Sequence, residues 1–179
     1  ALAAITMLSA APAVAQTGTT ATEVAVDQSY RLGPGDKVRI IVFGETELTG
    51  DYDVAADGSL MFPLVGAVRA AELTPPQLSE AIAAQLRSGY LRDPQVSSSV
   101  IGYRPFYILG EVTNPGTYPY APNLDVLSAV AVAGGYSYRA NRSRVFIRRA
   151  GEETERRYSL RERVSVRPGD TIRIGERFF

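Results

Sequence analysis

The sequence predicts an α+β protein in which helices pack on small β-sheets. Short runs of alternating apolar and polar residues, the pattern of half-buried strands, recur between turns rich in glycine and proline. One segment, residues 74–86, carries instead the signals of an amphipathic helix. Of the 179 residues, 45% are hydrophobic and 21% are charged, which allows a buried core. The chain is therefore expected to fold as one ordinary domain or as two small ones.

The N-terminal segment has the composition of an export signal. Residues 1–15 are small and apolar, carry no charge and end in Ala-Val-Ala. They are predicted to be the remnant of a cleaved secretory signal peptide, and the alternative is a short hydrophobic helix of the mature protein. Residues 16–29 are rich in threonine and alanine and are predicted to form a flexible leader. Export from the cytoplasm is therefore expected.

One nine-residue pattern occurs twice, as LGPGDKVRI at residues 32–40 and as VRPGDTIRI at residues 166–174. In each copy the Pro-Gly pair predicts a turn, and the following aspartate can accept hydrogen bonds from nearby backbone amides. The last three residues alternate as a half-buried strand does. A further Pro-Gly pair follows Asn114. The predicted structural turn residues are Pro34, Gly35, Asp36, Pro115, Gly116, Pro168, Gly169 and Asp170.

Strands and one helix are predicted in the first half of the chain. A strand runs from Val38 to Phe43, and Asp57-Gly58 predicts a hairpin between residues 52–54 and 59–62. The helix begins at an N-cap, Thr74, with Pro75 at N1 and Gln77 at N3 completing a capping box. Its apolar face is formed by Leu78, Ile82 and Leu86, which recur four residues apart, and Gly89 is placed to end it.

The second half is predicted to contain a strand, a turn, a strand, a helix and then three strands. Asn123 or Asp125 can cap this helix, which extends through Val132 and is closed by Gly134-Gly135. This order is typical of an α+β domain in which a helix packs on a mixed or antiparallel sheet. The strands are predicted at residues 106–109, 117–120, 145–147, 155–160 and 171–174.

Composition excludes several kinds of site. The chain contains no cysteine and no histidine, so it has no thiol nucleophile, imidazole base, disulfide or Cys/His zinc site. No metal or other cofactor is expected. Two pairs of acids, Glu45 with Glu47 and Glu152 with Glu153, are close in sequence, but nothing places either pair across a cleft, so catalysis is not expected. A net charge of zero and the export signal argue against a nucleic-acid partner.

Charge is distributed unevenly between the two halves. Residues 1–102 hold six basic against eleven acidic residues, a net charge of −5, and residues 103–179 hold thirteen against eight, a net charge of +5. Two solvated faces would explain this distribution. The alternatives are head-to-tail packing between neighbouring subunits and attraction of an anionic ligand.

Aromatic and basic residues concentrate in the second half and are the candidate contact residues. Tyrosine rings can stack on sugars, and arginine can pair with sugar carboxylates. Contact with sugar, contact with a neighbouring subunit and plain packing all stay open for this group, and the predicted loop from residue 136 to 144 is the first choice within it. The candidates are Tyr118, Tyr120, Tyr136, Tyr138, Arg139, Arg142 and Arg144.

Taken in order, these motifs resemble the bacterial outer-membrane polysaccharide export family. Residues 30–40, residues 57–66 and the helix after Thr74 are similar to that family's export domain. Residues 109–118, 131–135 and 167–174 are similar to a soluble-ligand-binding β-grasp domain. The resemblance implies a small export domain, a β-sheet with one packed helix, over residues 30–102, followed by a β-grasp domain over residues 103–176.

The resemblance also implies a function. It implies a non-enzymatic periplasmic subunit, associated with the outer membrane, whose homo-oligomeric ring passes capsular polysaccharide or exopolysaccharide outward. An inner-membrane polymerase and co-polymerase are its implied partners. The alternative is a monomeric periplasmic glycan-binding module.

Two differences from the larger members of this family determine which form is expected. Those members carry a lipid-modified N-terminal cysteine, further β-grasp domains and a C-terminal amphipathic helix. This sequence has no cysteine and stops at Phe179, so it resembles the short members and is expected to dock onto a separate outer-membrane β-barrel. A gene that continues beyond Phe179 is the alternative.

Overall fold

The computed structural model describes residues 30–177. The predicted signal-peptide remnant, residues 1–15, and the predicted leader, residues 16–29, lie outside the described residues. Within the described range the chain has the predicted α+β fold, with helices packed on sheets of short strands. The elements of its first half are β1 (Lys37–Val42), β2 (Gly50–Asp53), β3 (Ser59–Phe62), β4 (Gly66–Arg69), α1 (Pro75–Arg87) and β5 (Val96–Gly102).

The first half is built around a three-stranded antiparallel sheet in the order β2-β1-β5. Burial alternates strictly along β1, whose Val38, Ile40 and Val42 point into the core while Lys37 and Arg39 are exposed. Helix α1 packs beside β5 and buries the face that the sequence predicted, with Leu78, Ile82 and Leu86 fully buried. The apolar face of the strand repeats every two residues or so, and that of the helix about every 3.6 residues. The two faces pack on each other, so one core forms between the sheet and the helix.

The predicted hairpin between residues 52–54 and 59–62 was wrong. The chain does turn at Asp57-Gly58, where Gly58 has φ +81°, but β2 pairs with β1 and β3 pairs with β4. The reason lies in the packing of the turn. The Gly58 carbonyl accepts hydrogen bonds from the amides of Ala70 and Ala71, and a Cβ on Gly58 would lie 2.5 Å from the Ala71 Cβ. The turn is therefore held against the segment before α1 instead of closing a two-stranded ladder.

The second half forms a five-stranded mixed sheet covered on one side by a short helix. Its strand order is β7-β6-β10-β8-β9, with β10 parallel to β6 and all other neighbours antiparallel. The C-terminal strand thus lies at the centre of the sheet, beside the first strand of this half. The elements are β6 (Phe106–Gly110), β7 (Gly116–Tyr118), α2 (Val126–Val132), β8 (Arg144–Arg148), β9 (Arg156–Ser159) and β10 (Thr171–Ile174).

Helix α2 completes a second, separate core. Of the two candidate caps, the structure uses Asp125, whose side chain accepts a hydrogen bond of 2.8 Å from the Ser128 amide. Val126, Ala129 and Val130 of the helix are buried against inward-facing residues of the central strands. The helix ends before Gly134 and Gly135, which have φ +81° and +90°. This core is distinct from the one under α1.

The N-cap of α1 supports a first prediction. Thr74 and Gln77 form the predicted capping box, in which each side chain bonds the other residue's backbone amide. Replacing Thr74 by alanine leaves an amide of the first helical turn unpaired, so the free energy of unfolding should fall by about 1 kcal/mol in urea denaturation. Thr74→Ser keeps the hydroxyl and should retain most of the stability. Equal losses in both variants would show that the hydroxyl does not stabilise the helix.

The Pro-Gly turns support a second prediction. Gly35 has φ +89° and Gly169 has φ +81°, a region in which a β-branched residue is strained. Gly35→Val should therefore lower stability by at least about 1–2 kcal/mol. Gly169→Val should cost more, since its Cβ would lie 2.8 Å from Arg104 Nε and 3.0 Å from the Ala150 Cβ.

The matched control for these variants is Gly89→Val. Gly89 is exposed, lies outside the left-handed region and has no atom within 4 Å of a built Cβ. It should melt close to the parent protein. Thermal melting of Gly35→Val and Gly169→Val that matches this control would contradict the proposed strain.

Candidate functional site

The two Pro-Gly-Asp copies fold alike and bury their aspartates completely. Oδ2 of Asp36 accepts a hydrogen bond of 2.8 Å from the Gly33 amide, and Oδ2 of Asp170 accepts one of 2.7 Å from the Arg167 amide. In both copies the acceptor lies three residues after the donor. The sequence predicted that these aspartates would hold their turns by bonding backbone amides. It did not indicate that both carboxylates would be removed from solvent.

Each buried carboxylate has an arginine partner from another part of the chain. Arg104 Nη1 lies 3.5 Å from Asp36 Oδ2, and Arg149 Nη1 lies 2.5 Å from Asp170 Oδ2. Asp36 also accepts hydrogen bonds from the Arg104 amide at 2.9 Å and from the Tyr30 hydroxyl at 2.5 Å. A buried charge is expensive unless it is paired and hydrogen-bonded. Asp36 meets that condition at both carboxylate oxygens, whereas Asp170 meets it at Oδ2 and its buried Oδ1 has no hydrogen-bond partner among the described residues.

Arg104 connects the two copies to each other. Besides its pairing with Asp36 of the first copy, its Nε donates a hydrogen bond of 3.1 Å to the carbonyl oxygen of Pro168 in the second copy. The neighbouring Pro105 carbonyl accepts a hydrogen bond of 3.0 Å from the Gly169 amide. The space is tight, because a Cβ on Gly33 would lie 1.7 Å from Arg104 Nη1. We call this contact between the two turns the junction.

A cavity of about 360 Å³ opens beside the junction, between the two halves of the chain. We call it the junction cavity. Four arginines and two tyrosines line it together with two acidic residues, an alanine and a proline. The lining residues are Arg31, Arg104, Arg149, Arg167, Tyr30, Tyr120, Glu72, Asp170, Ala150 and Pro168. This combination of planar cationic groups and aromatic rings can hold an anionic, partly apolar ligand.

Aromatic contacts hold the tyrosines of this cavity in place. Tyr30 packs edge-to-face on Tyr103, with ring centroids 5.1 Å apart, and Tyr103 packs edge-to-face on Tyr120 at 5.3 Å. Burial and the hydrogen bond to the Asp36 carboxylate raise the pKa of the Tyr30 hydroxyl, which therefore stays protonated as a donor. The three rings thus form a fixed row that spans both halves of the chain.

Burial also changes the ionisation of the second turn. It raises the pKa of the Asp170 carboxyl, while the Arg167 amide and the Arg149 guanidinium oppose that shift. Arg149 is itself held from a second side, since its Nη1 donates a hydrogen bond of 3.0 Å to the Ser165 carbonyl. Its guanidinium also lies over the Tyr158 ring, 5.4 Å from the centroid. Its position in the cavity wall is therefore fixed by several contacts.

The candidate tyrosines and arginines of the second half do not gather in one place. Tyr120 lines the junction cavity. Tyr118 is half-buried, stacks on Phe106 with centroids 5.9 Å apart and donates a hydrogen bond to the Asn114 carbonyl. Arg144 lies in β8 and is half-buried. The predicted turn at Pro115-Gly116 has its bend at residues 113–114, and Gly116 already belongs to β7.

The remaining candidates share one loop before β8, residues 136–142. Arg142 lies over the Tyr136 ring, 5.7 Å from its centroid, and Arg139 pairs with Glu176. Burial raises the pKa of the Tyr136 hydroxyl, with Arg142 opposing. Tyr138 is 87% exposed, which is unusual for so large a ring. This loop therefore presents an aromatic residue and cations to solvent.

Sequence reasoning missed most residues of the junction cavity. Of its tyrosines and arginines, Tyr120 alone is among the candidate contact residues, and Tyr30, Arg31, Arg104, Arg149 and Arg167 are not. Their sequence positions are far apart, and no local pattern marks the aspartate with which an arginine will pair. The duplicated Pro-Gly-Asp pattern was the one available signal, because two copies of a buried carboxylate require two cations.

Two further observations bear on the site. Within residues 30–177, no cluster of three or more Asp and Glu side chains is arranged to hold a metal ion. Over the same range, neither α1 nor α2 has the length and apolar character that a membrane-crossing helix needs.

Comparison with known proteins agrees with the order of the two halves. Residues 24–100 match the family described as polysaccharide biosynthesis/export protein, and residues 105–158 match the SLBB domain. The chain belongs to the polysaccharide export protein family. Its matched regions meet at the segment that contains Arg104, so the junction lies where the family's export and SLBB domains adjoin.

Relatives whose names state a function support the same family. The chain is 37% identical over 164 residues to the exopolysaccharide production protein ExoF of Rhizobium meliloti (strain 1021), an alignment that covers 83% of this chain and 39% of ExoF. It is 28% identical over 114 residues to the polysialic acid transport protein KpsD of Escherichia coli. That alignment covers 63% of this chain and 20% of KpsD. The chain therefore spans about two fifths and one fifth of the length of these relatives.

The junction supports a third prediction. Arg104→Met keeps the bulk of the side chain but removes the cation of Asp36 and the bond to Pro168. Because Asp36 retains three other hydrogen bonds, the free energy of unfolding should fall by about 2–4 kcal/mol. Urea denaturation should also separate into two transitions, one for each core.

The control is Arg39→Met, which breaks an ion pair with Asp51 on the exposed face of β1. Solvent screens that pair, so this variant should change stability little. If both variants unfold alike, and in a single transition, Arg104 does not hold the two halves together.

Proposed function

We propose that this chain is a non-enzymatic periplasmic subunit of a machine that exports polysaccharide. The observation that carries the proposal is the fixed pairing of an export domain with an SLBB domain through the Arg104 junction. The names of the relatives, exopolysaccharide production protein and polysialic acid transport protein, support polysaccharide as the class of cargo. Residues 30–102 and 103–176 act in this proposal as two domains of one rigid unit.

Assembly into a homo-oligomeric ring is part of the proposal. Within residues 30–102 there are six basic and nine acidic residues, and within residues 103–177 thirteen and eight, so the two domains carry net charges of −3 and +5. Opposite charges on the two ends of a subunit favour head-to-tail contacts between copies. A ring of this kind would receive polymer from an inner-membrane co-polymerase and pass it toward an outer-membrane partner.

The loop at residues 136–142 is the proposed contact with a neighbouring copy. Tyrosine and arginine are enriched at the cores of protein interfaces, and Tyr138 exposes 87% of its surface in the single chain. Arg139 and Arg142 flank it and belong to the positively charged domain. The complementary surface would lie on the negatively charged export domain of the next subunit.

A monomeric periplasmic glycan-binding module is the second candidate function. One observation favours it: the junction cavity is built entirely within a single chain, so it needs no partner copy to be complete. The two functions differ in oligomeric state and in the effect of removing the gene.

Deleting the gene should abolish or strongly reduce secreted polysaccharide, and a plasmid copy should restore it. The amounts of uronate and of total sugar secreted into the culture medium are measured in the deletion strain and in the strain that carries the plasmid copy. The purified exported protein should sediment as an oligomer in analytical ultracentrifugation. Normal secretion in the deletion strain would contradict the export function, and a strict monomer, both purified and in membrane extracts, would favour the glycan-binding module.

If the Tyr138 side chain anchors the contact between subunits, Tyr138→Ala should lower the association constant of the oligomer by roughly tenfold or more. Tyr90→Ala is the matched control, since Tyr90 is 53% exposed and lies in the other domain. Thermal melting of both variants should match the parent protein. An unchanged oligomer in Tyr138→Ala would move the interface elsewhere on the surface.

A further inference from the structure

We propose that the junction cavity binds an acidic sugar residue, held by its carboxylate, of the polymer that the protein carries. This proposal rests on the proposed function for the origin of the ligand. The binding chemistry rests on the cavity alone. The ligand class is a hexuronate or another carboxylated sugar, and the residues that recognise it are Arg31, Arg104, Arg149, Arg167, Tyr30 and Tyr120.

The charge of the cavity favours an anion. Its wall holds four arginines against the carboxylates of Asp170 and Glu72, and Asp36 lies buried behind Arg104. Asp36 and Asp170 are each neutralised by one arginine. Two guanidinium groups, those of Arg31 and Arg167, then face a single carboxylate. One further negative charge would balance the site, and a sugar carboxylate supplies it with two oxygens that suit the planar guanidinium.

The inner arginines are prepared to donate further hydrogen bonds. Arg104 uses Nε and Nη1 for Pro168 and Asp36, and Arg149 uses Nη1 for Ser165 and Asp170. Within residues 30–177, Nη2 of both side chains has no hydrogen-bond partner. The side chains are 21% and 15% exposed, so these donors are fixed by the fold but still reachable. A ligand would therefore meet oriented donors that lose little conformational entropy on binding.

The outer arginines are placed to complete recognition. Arg31 Nη1 donates a hydrogen bond of 2.6 Å to the backbone carbonyl of Glu72, and among residues 30–177 its guanidinium has no carboxylate partner. The guanidinium of Arg167 has no hydrogen-bond or ion-pair partner among residues 30–177, and its residue is exposed. The long side chain of Arg167 is not held by the fold and can close over a ligand, whereas Arg31 is anchored by its hydrogen bond to the Glu72 carbonyl.

The tyrosines and the size of the cavity favour a sugar over a small inorganic anion. The rings of Tyr30 and Tyr120 line the same space and are held by edge-to-face contacts with Tyr103. Aromatic faces and edges pack on the C–H surfaces of a sugar ring. A volume of about 360 Å³ lies at the small end of ligand pockets, which span roughly 300–1,000 Å³. It is more than a lone phosphate or sulfate needs.

Glu72 gives the proposal an additional test. It has φ +67°, a strained conformation for a residue with a side chain, and its amide bonds the Leu32 carbonyl at 3.0 Å. Glu72 is a lining residue of a cavity rich in arginine. The negative charge of Glu72 should therefore compete with an acidic ligand for these arginines. Neutralising it should strengthen binding, whereas it should not affect a neutral sugar.

The test compares two probes that share one backbone. β-(1→4)-linked tetraglucuronate carries a carboxylate where cellotetraose carries a hydroxymethyl group. Titration of the exported protein, followed by calorimetry and by NMR, should give a dissociation constant of about 1 mM or lower for tetraglucuronate. Cellotetraose should bind at least about tenfold more weakly. Added sodium chloride should weaken the binding of tetraglucuronate.

The variants locate the site. Arg167→Gln and Arg31→Gln should each weaken tetraglucuronate binding by about tenfold or more, because each removes one charged hydrogen bond. Arg157→Gln is the matched control, an exposed arginine of β9 whose side chain has no partner among the described residues, and it should bind like the parent. Glu72→Gln should bind tetraglucuronate several-fold more tightly. All four variants should melt like the parent protein, since none removes a buried pair.

Several outcomes would overturn the proposal. Equal binding of the two tetrasaccharides, or no binding of either at millimolar concentration, would exclude an acidic-sugar site. An equal loss of tetraglucuronate affinity in Arg157→Gln and Arg167→Gln would show that the net charge of the protein, and not this cavity, causes the binding. Tight binding of inorganic phosphate in place of tetraglucuronate would show that the cavity is an anion site that does not recognise the sugar.

The secretion assay separates this proposal from the proposed function. If the gene deletion stops secretion but tetraglucuronate does not bind, the export function stands and the cavity proposal fails. If tetraglucuronate binds as expected but the deletion leaves secretion normal, the cavity stands as a glycan site and the export function fails.

Discussion

The contact of Arg104 with both Pro-Gly-Asp turns is the interaction on which the arrangement of this protein depends. Its guanidinium pairs with the buried carboxylate of Asp36 and bonds the Pro168 carbonyl, so one side chain joins two cores that share no apolar residue. Each core is small and would be only marginally stable by itself. A buried pair gives little net stability, but it allows few alternative geometries, because an unpaired Asp36 would be costly. The junction therefore specifies how the domains meet.

The second turn explains why the sheet of the SLBB domain needs residues beyond the region that matches the family. The family match ends at residue 158, yet the sheet has β10, residues 171–174, at its centre. The turn that precedes β10 buries Asp170 against Arg149 and presents the Pro168 carbonyl to Arg104. One turn thus opens the export domain, and its copy places the last strand of the next domain. Because both copies bury a carboxylate, both attract arginines, and the surplus of arginine forms the wall of the junction cavity.

The fold was largely predictable, and the candidate site was not. The capping box at Thr74, the buried face of α1 and the alternation of β1 depend on neighbours within a few residues, so local pattern indicates them directly. The pairing of β2 and β3 was predicted wrongly, since a turn signal shows where a chain reverses but not which strands then form a ladder. The choice of Asp125 over Asn123 as the cap of α2 likewise depended on the final backbone, in which Asn123 takes φ +63°.

By itself the sequence determined the α+β class, the order of the elements, the buried faces of β1 and α1 and the duplicated turn. Each of these depends on residues spaced two to four apart or on a direct repeat, so a local pattern predicts it. Tertiary structure alone decided that the two turns meet, that Arg104 and Arg149 neutralise their aspartates, and that Tyr30 and Tyr120 share a cavity with four arginines. Arg104 lies 68 residues from Asp36, and Arg149 lies 21 residues from Asp170. Electrostatic pairing at such separations leaves no periodic trace in a sequence, since any arginine can neutralise any buried carboxylate until packing selects one.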